Sequence, residues 1–176
     1  MKYPSIAAAA AAALLAGCAG GFGSGPSQPR ATAQLAAASG SQASGNVTFT
    51  ERRGGVRVAG EVRGLRPNAE HGFHVHEKGD CSAPDATSAG GHFNPGGQPH
   101  GAVGHGPHHA GDMPNLRADA QGVARFEFDV PTLSVAGASN GVVGRGLVVH
   151  RDPDDYRSQP AGNSGPRVAC AVIRQG

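Results

Sequence analysis

The chain has 176 residues, a formal net charge of +2, 16% charged and 5% aromatic residues, and no Trp. That length suits one domain plus an address segment, and the small charge, with no Lys/Arg run and no interleaved aromatics, excludes nucleic acid as a partner. The 29 Gly and 13 Pro favour many turns and short strands over long helices.

Residues 1–17 read as a signal peptide. Lys2 precedes an apolar run from Ile6 to Leu15, too short to span a hydrocarbon core of about 30 Å. The ending Leu15-Ala16-Gly17-Cys18 resembles a bacterial lipoprotein signal. That resemblance implies an exported, periplasmic protein tied to the membrane through a lipidated Cys18. It also leaves an even number of the 3 cysteines for the rest of the chain. Residues 18–44 are small, polar and rich in Gly, Ser, Ala and Pro, and read as a flexible tether, with at most a helical turn or two between Ala31 and Ala38.

The domain is expected over 45–176. Val47 and Phe49 alternate with Thr48 and Thr50, and after Arg53-Gly54-Gly55 the alternation resumes at Val56, Val58 and Val62, which is a hairpin pattern. Leu65 to Asn68 is a turn. His71 to His76 alternates again, with Phe73 and Val75 on one face and His74 and His76 on the other. Ala124 to Val130, Leu147 to His150 and Val168 to Ile173 supply further strands. No dozen-residue window carries a helical stripe, so the fold class is all-β, a sandwich or barrel. The interval from Asp80 to Met113 has no strand pattern, and a loop that long needs a metal or a disulfide to order it.

Seven of the 9 histidines, His74, His76, His92, His100, His105, His108 and His109, lie in one poorly apolar stretch. Buried imidazoles need partners, whereas neutral imidazole is a ready ligand for copper and zinc. His74 and His76, two apart on a strand, project from one face about 7 Å apart at Cα, which suits two ligands of one metal. His92, His100, His109 and Asp112 form three imidazoles and a carboxylate, a closed tetrahedral set of the structural zinc type.

The motifs GFHVHEKGDC, AGGHFNP, HHAGDMPN, GLVVH and PRVACAVI, in this order from about Asn46 to the end, resemble the exported bacterial copper/zinc superoxide dismutases. The resemblance implies a Greek-key β-barrel or flattened sandwich of about eight antiparallel strands with long metal-binding and electrostatic loops. It implies one copper per chain on His74, His76, His92 and His150. It implies one zinc per chain on His92, His100, His109 and Asp112, so that His92 bridges the two metals. His71, His105 and His108 match no ligand position.

Asp154 matches the family's carboxylate that links the free ring nitrogens of His74 and His100, although Asp152 and Asp155 stand close by. Arg167 matches the arginine that docks the anion, and Cys81 and Cys170 match the family's disulfide. Closing a loop of about 90 residues contributes on the order of 4–5 kcal/mol in the chain-entropy model. Pro166 and Ala171 depart from the residues the family usually carries there. Arg151 or Arg157 would have to steer the substrate, where the family usually has Lys. The implied reaction is 2 superoxide + 2 H⁺ → O₂ + H₂O₂, with His92 and Arg167 as the catalytic residues, in a monomer or homodimer. A metal-buffering lipoprotein without catalysis is the other reading the histidines allow, and the complete copper set with Arg167 favours the dismutase.

Overall fold

A computed structural model describes residues 28–137 and 139–176, together with Met1. Cys18 and the rest of the expected signal lie outside the described residues. Ten strands follow in chain order: β1 Arg30–Ala37, β2 Ser44–Arg52, β3 Gly55–Arg63, β4 Glu70–His71, β5 Phe73–His76, β6 Leu116–Arg117, β7 Ala124–Val130, β8 Gly146–His150, β9 Arg167–Val172 and β10 Arg174–Gln175. Among the described residues the one helical element is a single 3-10 turn, Thr87–Ala89.

The period-two patterns become strands with the expected faces. Val47, Phe49, Val56, Val58 and Val62 are fully buried, and Thr50, Arg57 and Glu61 stand on the outer side. Strands β2 and β3 pair along their whole length, from Ser44 against Arg63 to Arg52 against Gly55. The turn between them needs Gly55, at φ 144°, because a Cβ there would lie 2.6 Å from Pro131 Cα.

The main sheet is antiparallel and eight-stranded, in the order β5-β8-β9-β1-β2-β3-β7, with β10 also paired to β1. After β3 the chain crosses to the far edge to form β5, which is the Greek-key connection. The sheet curls on itself, and the two edges meet where Phe73 of β5 packs edge-on against Phe126 of β7, with ring centroids 5.3 Å apart. One apolar core fills the inside, with Phe49, Phe73, Met113, Leu116, Leu133, Leu147 and Ile173 among its fully buried residues.

The expected tether is corrected in part. Residues 30–37 are not a tether or a helical turn but β1, and the folded domain starts near Arg30 rather than at 45. Ala31, Ala33 and Leu35 point into the core, and β1 pairs β2 on one side and β9 and β10 on the other. Alanine carries little strand preference of its own, so this strand exists because its neighbours supply two ladders.

Outside the sheet, Ala38, Ala86, Ala89, Val148, Cys170 and Cys81 form a second, small apolar cluster. It lies under the 81–90 loop, on the face of β8 and β9 opposite the main core. The same outer face carries His74, His76 and His150.

Candidate metal centre

Adjacent strands β5 and β8 carry the first half of the site. Phe73 pairs with Val149 and His74 with Val148, so Phe73, Val75, Leu147 and Val149 face the core while His74, His76 and His150 face out. A register shift between Val149 and His150 against β9 re-aims the His150 ring. Loop residues His92 and Asp112 join by single bridges, His76 to His92 and His74 to Asp112. All of these side chains are buried, His74 and Asp112 at 0% exposure.

Hydrogen bonds to the ring nitrogens decide which lone pairs are free. His74 Nε2–H donates to Asp154 Oδ2 at 2.8 Å, which leaves Nδ1 bare. His76 Nδ1–H donates to Gly90 O at 3.0 Å and His150 Nδ1–H to Gly165 O at 3.2 Å, which leaves both Nε2 atoms bare. Those two bare Nε2 atoms face each other at 3.4 Å. The buried Nδ1 of His74 and Nε2 of His92 have no hydrogen-bond partner. His74, His76, His92 and His150 therefore offer four converging imidazole nitrogens, all within 4.8 Å of one another. Four converging lone pairs of this kind fit a cation, and an all-imidazole set suits copper.

The second set is built on Asp112. Its Oδ1 lies 2.9 Å from His92 Nδ1, 3.0 Å from His100 Nδ1 and 3.3 Å from His109 Nδ1. His92 Nδ1 and His109 Nδ1 are 3.4 Å apart. A tetrahedral zinc with bonds of about 2.0–2.1 Å has ligand–ligand edges of about 3.3–3.4 Å. The donor atoms thus already stand at, or slightly inside, the spacing that zinc requires. Asp112 Oδ2 is held by the backbone N–H groups of Gly101 and His109 at 3.1 and 2.9 Å, which frees Oδ1 for the cluster.

The electrostatics follow the same division. Burial, reinforced by the neighbouring imidazoles, holds His76 and His150 well below the usual imidazole range, so both rings are neutral ligands. Burial also pushes His92 down to about 4, against the pull of Asp112. At His100 burial is outweighed by hydrogen bonds to Asp112 and Asp154 on its two ring nitrogens, which push it up to about 9. Asp112 is held ionised far below the usual carboxylate range, because three histidines and the Gly101 N–H outweigh its burial. The carboxylates that raise His100 equally favour a divalent ion at its Nδ1, which binds only the unprotonated nitrogen.

Asp154 sits between the sets. Its Oδ2 accepts from His74 and its Oδ1 accepts from His100 Nε2, each at 2.8 Å. Asp152 instead pairs with Arg151 and Arg66, and Asp155 accepts from Arg157 N, Ser158 N and the Ser158 hydroxyl. Arg167, paired with His150 across the β8–β9 ladder, donates to Ala86 O and Gly90 O, both at 2.6 Å. A cavity of about 350 Å³ opens over this group, lined among others by His76, His92, His150, Pro160 and Arg167. Cys81 and Cys170 form a disulfide with Cα atoms 5.8 Å apart. It ties the loop that carries Arg167's two acceptors to the strand that carries Arg167.

Three supporting residues carried no functional reading in the sequence. His71 is buried and donates from Nδ1 to His150 O at 2.8 Å, fixing the end of β8. The Gly90 carbonyl accepts from both His76 and Arg167, so one backbone oxygen orients a ring and the guanidinium. Gly162, at φ 62°, leaves room for Asp154. The paired glycines before His92 were the one visible hint. His105 is exposed and His108 half-buried, and neither joins either set.

A profile of the copper/zinc superoxide dismutase family matches residues 43–173. The chain is 45% identical to a copper/zinc superoxide dismutase of Aquifex aeolicus over 74% of its own length and 78% of the relative's. It is 42% identical to that of Caulobacter vibrioides, over 82% and 85%. Among solved structures, a double mutant of a superoxide dismutase-like protein from Bacillus subtilis matches with TM-score 0.74 and 37% identity, covering 81% of this chain and 96% of that one. The clock protein EA4 also matches with TM-score 0.74, at 40% identity over 85% and 97%. With two converging donor sets on a Greek-key barrel and close relatives over most of its length, the chain belongs to the copper/zinc superoxide dismutase family, whose enzymes act on superoxide with copper and zinc.

Proposed function

We propose that His74, His76, His92 and His150 hold the copper and that His92, His100, His109 and Asp112 hold the zinc, with His92 shared between them. The observation that carries this reading is the pattern of bare lone pairs, above all the unpartnered buried Nδ1 of His74 and Nε2 of His92. Copper, when bound, supplies the one-electron couple that oxidises one superoxide and reduces the next. Arg167 docks the anion: its two hydrogen bonds to Ala86 and Gly90 fix a positive charge on the wall of the cavity that His76, His92 and His150 also line. His92 Nε2 faces the copper set and His92 Nδ1 the zinc set, so Nε2 is the ring atom that would hold a proton for the peroxide product whenever copper does not occupy it. Asp154 keeps His74 and His100 in the tautomers that direct their Nδ1 atoms at the two sets.

Of the two candidate steering cations, both exposed, Arg151 is tied to Asp152 at 2.9 Å, whereas Arg157, in the Asp155 turn, has no ion pair among the described residues. That favours Arg157. The protein works in the cell envelope, exported, as a monomer or homodimer anchored through a lipidated Cys18. The Leu15-Ala16-Gly17-Cys18 ending supports the anchor. Blocking lipoprotein maturation should shift its gel mobility, and an unshifted band refutes it.

The central test is the purified mature domain: copper and zinc per chain by mass spectrometry, its mass in solution, and superoxide removal with and without cyanide. One copper and one zinc with cyanide-sensitive activity is expected. Full copper occupancy without activity would make it a metal buffer instead. His92→Gln should lose both metal geometry and rate, and a fully active variant would refute the bridge.

A further inference from the structure

Two side-chain amides tie the metal loops together in opposite directions. Asn115 ends the loop that carries His100, His109 and Asp112. Its Nδ2 donates to Asp154 O and its Oδ1 accepts from Asp154 N, both at 2.9 Å. Gln159 lies in the loop that carries Asp154. Its Oε1 accepts from His100 N and its Nε2 donates to His100 O, again both at 2.9 Å. Each amide places a donor and its acceptor on one backbone residue, as a neighbouring strand would, and Gln159 Nε2 donates in addition to Arg157 O at 3.3 Å. Among the described residues neither His100 nor Asp154 has a backbone–backbone hydrogen bond, so these amides satisfy all four of their main-chain groups.

The two clamped residues are the two joined by the contact of Asp154 Oδ1 with His100 Nε2 at 2.8 Å. Asn115, from the His100 side, holds Asp154, and Gln159, from the Asp154 side, holds His100. Tyr156 closes the arrangement: its hydroxyl accepts from Asn115 N at 2.7 Å and its N–H donates to Asp154 Oδ1 at 2.7 Å. The His100 ring is thereby set from both ends, by its ring nitrogens and by its main chain.

We propose that Asn115 and Gln159 are a reciprocal pair of positioning residues that hold the Asp154–His100 contact and so control how tightly the zinc set retains its ion. This rests on the zinc assignment above. Without either amide, two main-chain groups lose their only partners and one loop can drift from the other. His100 Nδ1 then leaves the spacing it shares with Asp112. Partners of this kind, removed singly, cost about 10–100-fold in metal affinity.

The test uses the full mature domain with zinc, or with Co(II) in its place, in the parent, Gln159→Met, Asn115→Asp and the double variant. Gln159→Met keeps size and removes the amide at an exposed position, so the fold is retained, as far-ultraviolet circular dichroism should show. Zinc release to a chelator should speed about 10–100-fold in each single variant. The double variant should fall well short of the product of the two, because one shared contact can be lost only once. The visible Co(II) bands should shift in each variant, which a loss of stability alone would not cause. Release within twofold of the parent with unshifted bands, or strictly multiplicative effects, overturns the clamp. A parent that takes up neither ion at this set overturns the zinc assignment beneath it, and the metal content of the parent tells these failures apart.

Discussion

Gly162→Ala places one methyl group against the contact that joins the two metal sets. Gly162 has φ 62°, where an L-residue costs about 1–2 kcal/mol. The new Cβ would overlap Asp154 Oδ1 and stand 2.6 Å from Asp154 Cγ and 2.7 Å from His100 Nε2. Ordinary contact begins at about 3.5 Å, so the ring must withdraw by about 0.8 Å and the carboxylate by at least about 0.9 Å. A hydrogen bond of 2.8 Å lengthened by that amount is no longer one. The expected loss is about 10–100-fold in zinc affinity. It comes on top of a backbone cost that lowers the melting temperature by about 2–8 °C in a domain of this size. Scanning calorimetry separates the two: the apo protein shows the backbone and steric cost without the ion, and the zinc-loaded protein shows a larger drop because the ion then stabilises less. Equal drops in both forms, with unchanged zinc affinity, would refute the idea that Gly162 is there to make room for Asp154.

Deleting residues 1–27 should leave a folded, active domain, whereas deleting residues 1–38 removes β1 from the middle of the sheet and should leave the chain unfolded by circular dichroism; a folded shorter form would mean that β2 and β9 can do without it. Cys81→Ser opens a loop with a sequence separation of 89 residues. The chain-entropy cost of about 4–5 kcal/mol should lower the melting temperature by about 10–18 °C, and a drop under about 3 °C would contradict it. Asp155 is pushed down to about 2 by the Ser158 hydroxyl and the N–H groups of Ser158 and Arg157. A depressed carboxylate stabilises its turn above the usual range near about 4 and loses that effect as the pH falls toward the folded value. The Arg157 and Ser158 amide signals should therefore stay native at pH 4 and change only near pH 2; a midpoint near 4 in an NMR titration would refute the turn.

The sequence alone determined the strands whose apolar side chains alternate. Val47, Phe49, Val56, Val58 and Val62 have a side-chain period that only a half-buried strand satisfies, and Arg53-Gly54-Gly55 marks the turn between β2 and β3. The spacing of His92, His100, His109 and Asp112 likewise offered a zinc-type donor set, the resemblance of five motifs implied a division of the histidines between two metals, and the structure gathers two such groups, each with donor atoms within 4.8 Å of one another. Only the tertiary structure made a strand of Arg30–Ala37, since three small or modest inward side chains carry weak local preference and the two flanking ladders supply the rest. Only the tertiary structure brought the 74–112 and 150–170 segments to one face, through β5 pairing with β8 and β8 with β9. The supports of the site were the least legible part. Gly90 O, the amides of Asn115 and Gln159, and the space left by Gly162 act on or through the backbone. A backbone group has the same chemistry at every position, so its role depends on which segment runs past it, and the fold alone decides that.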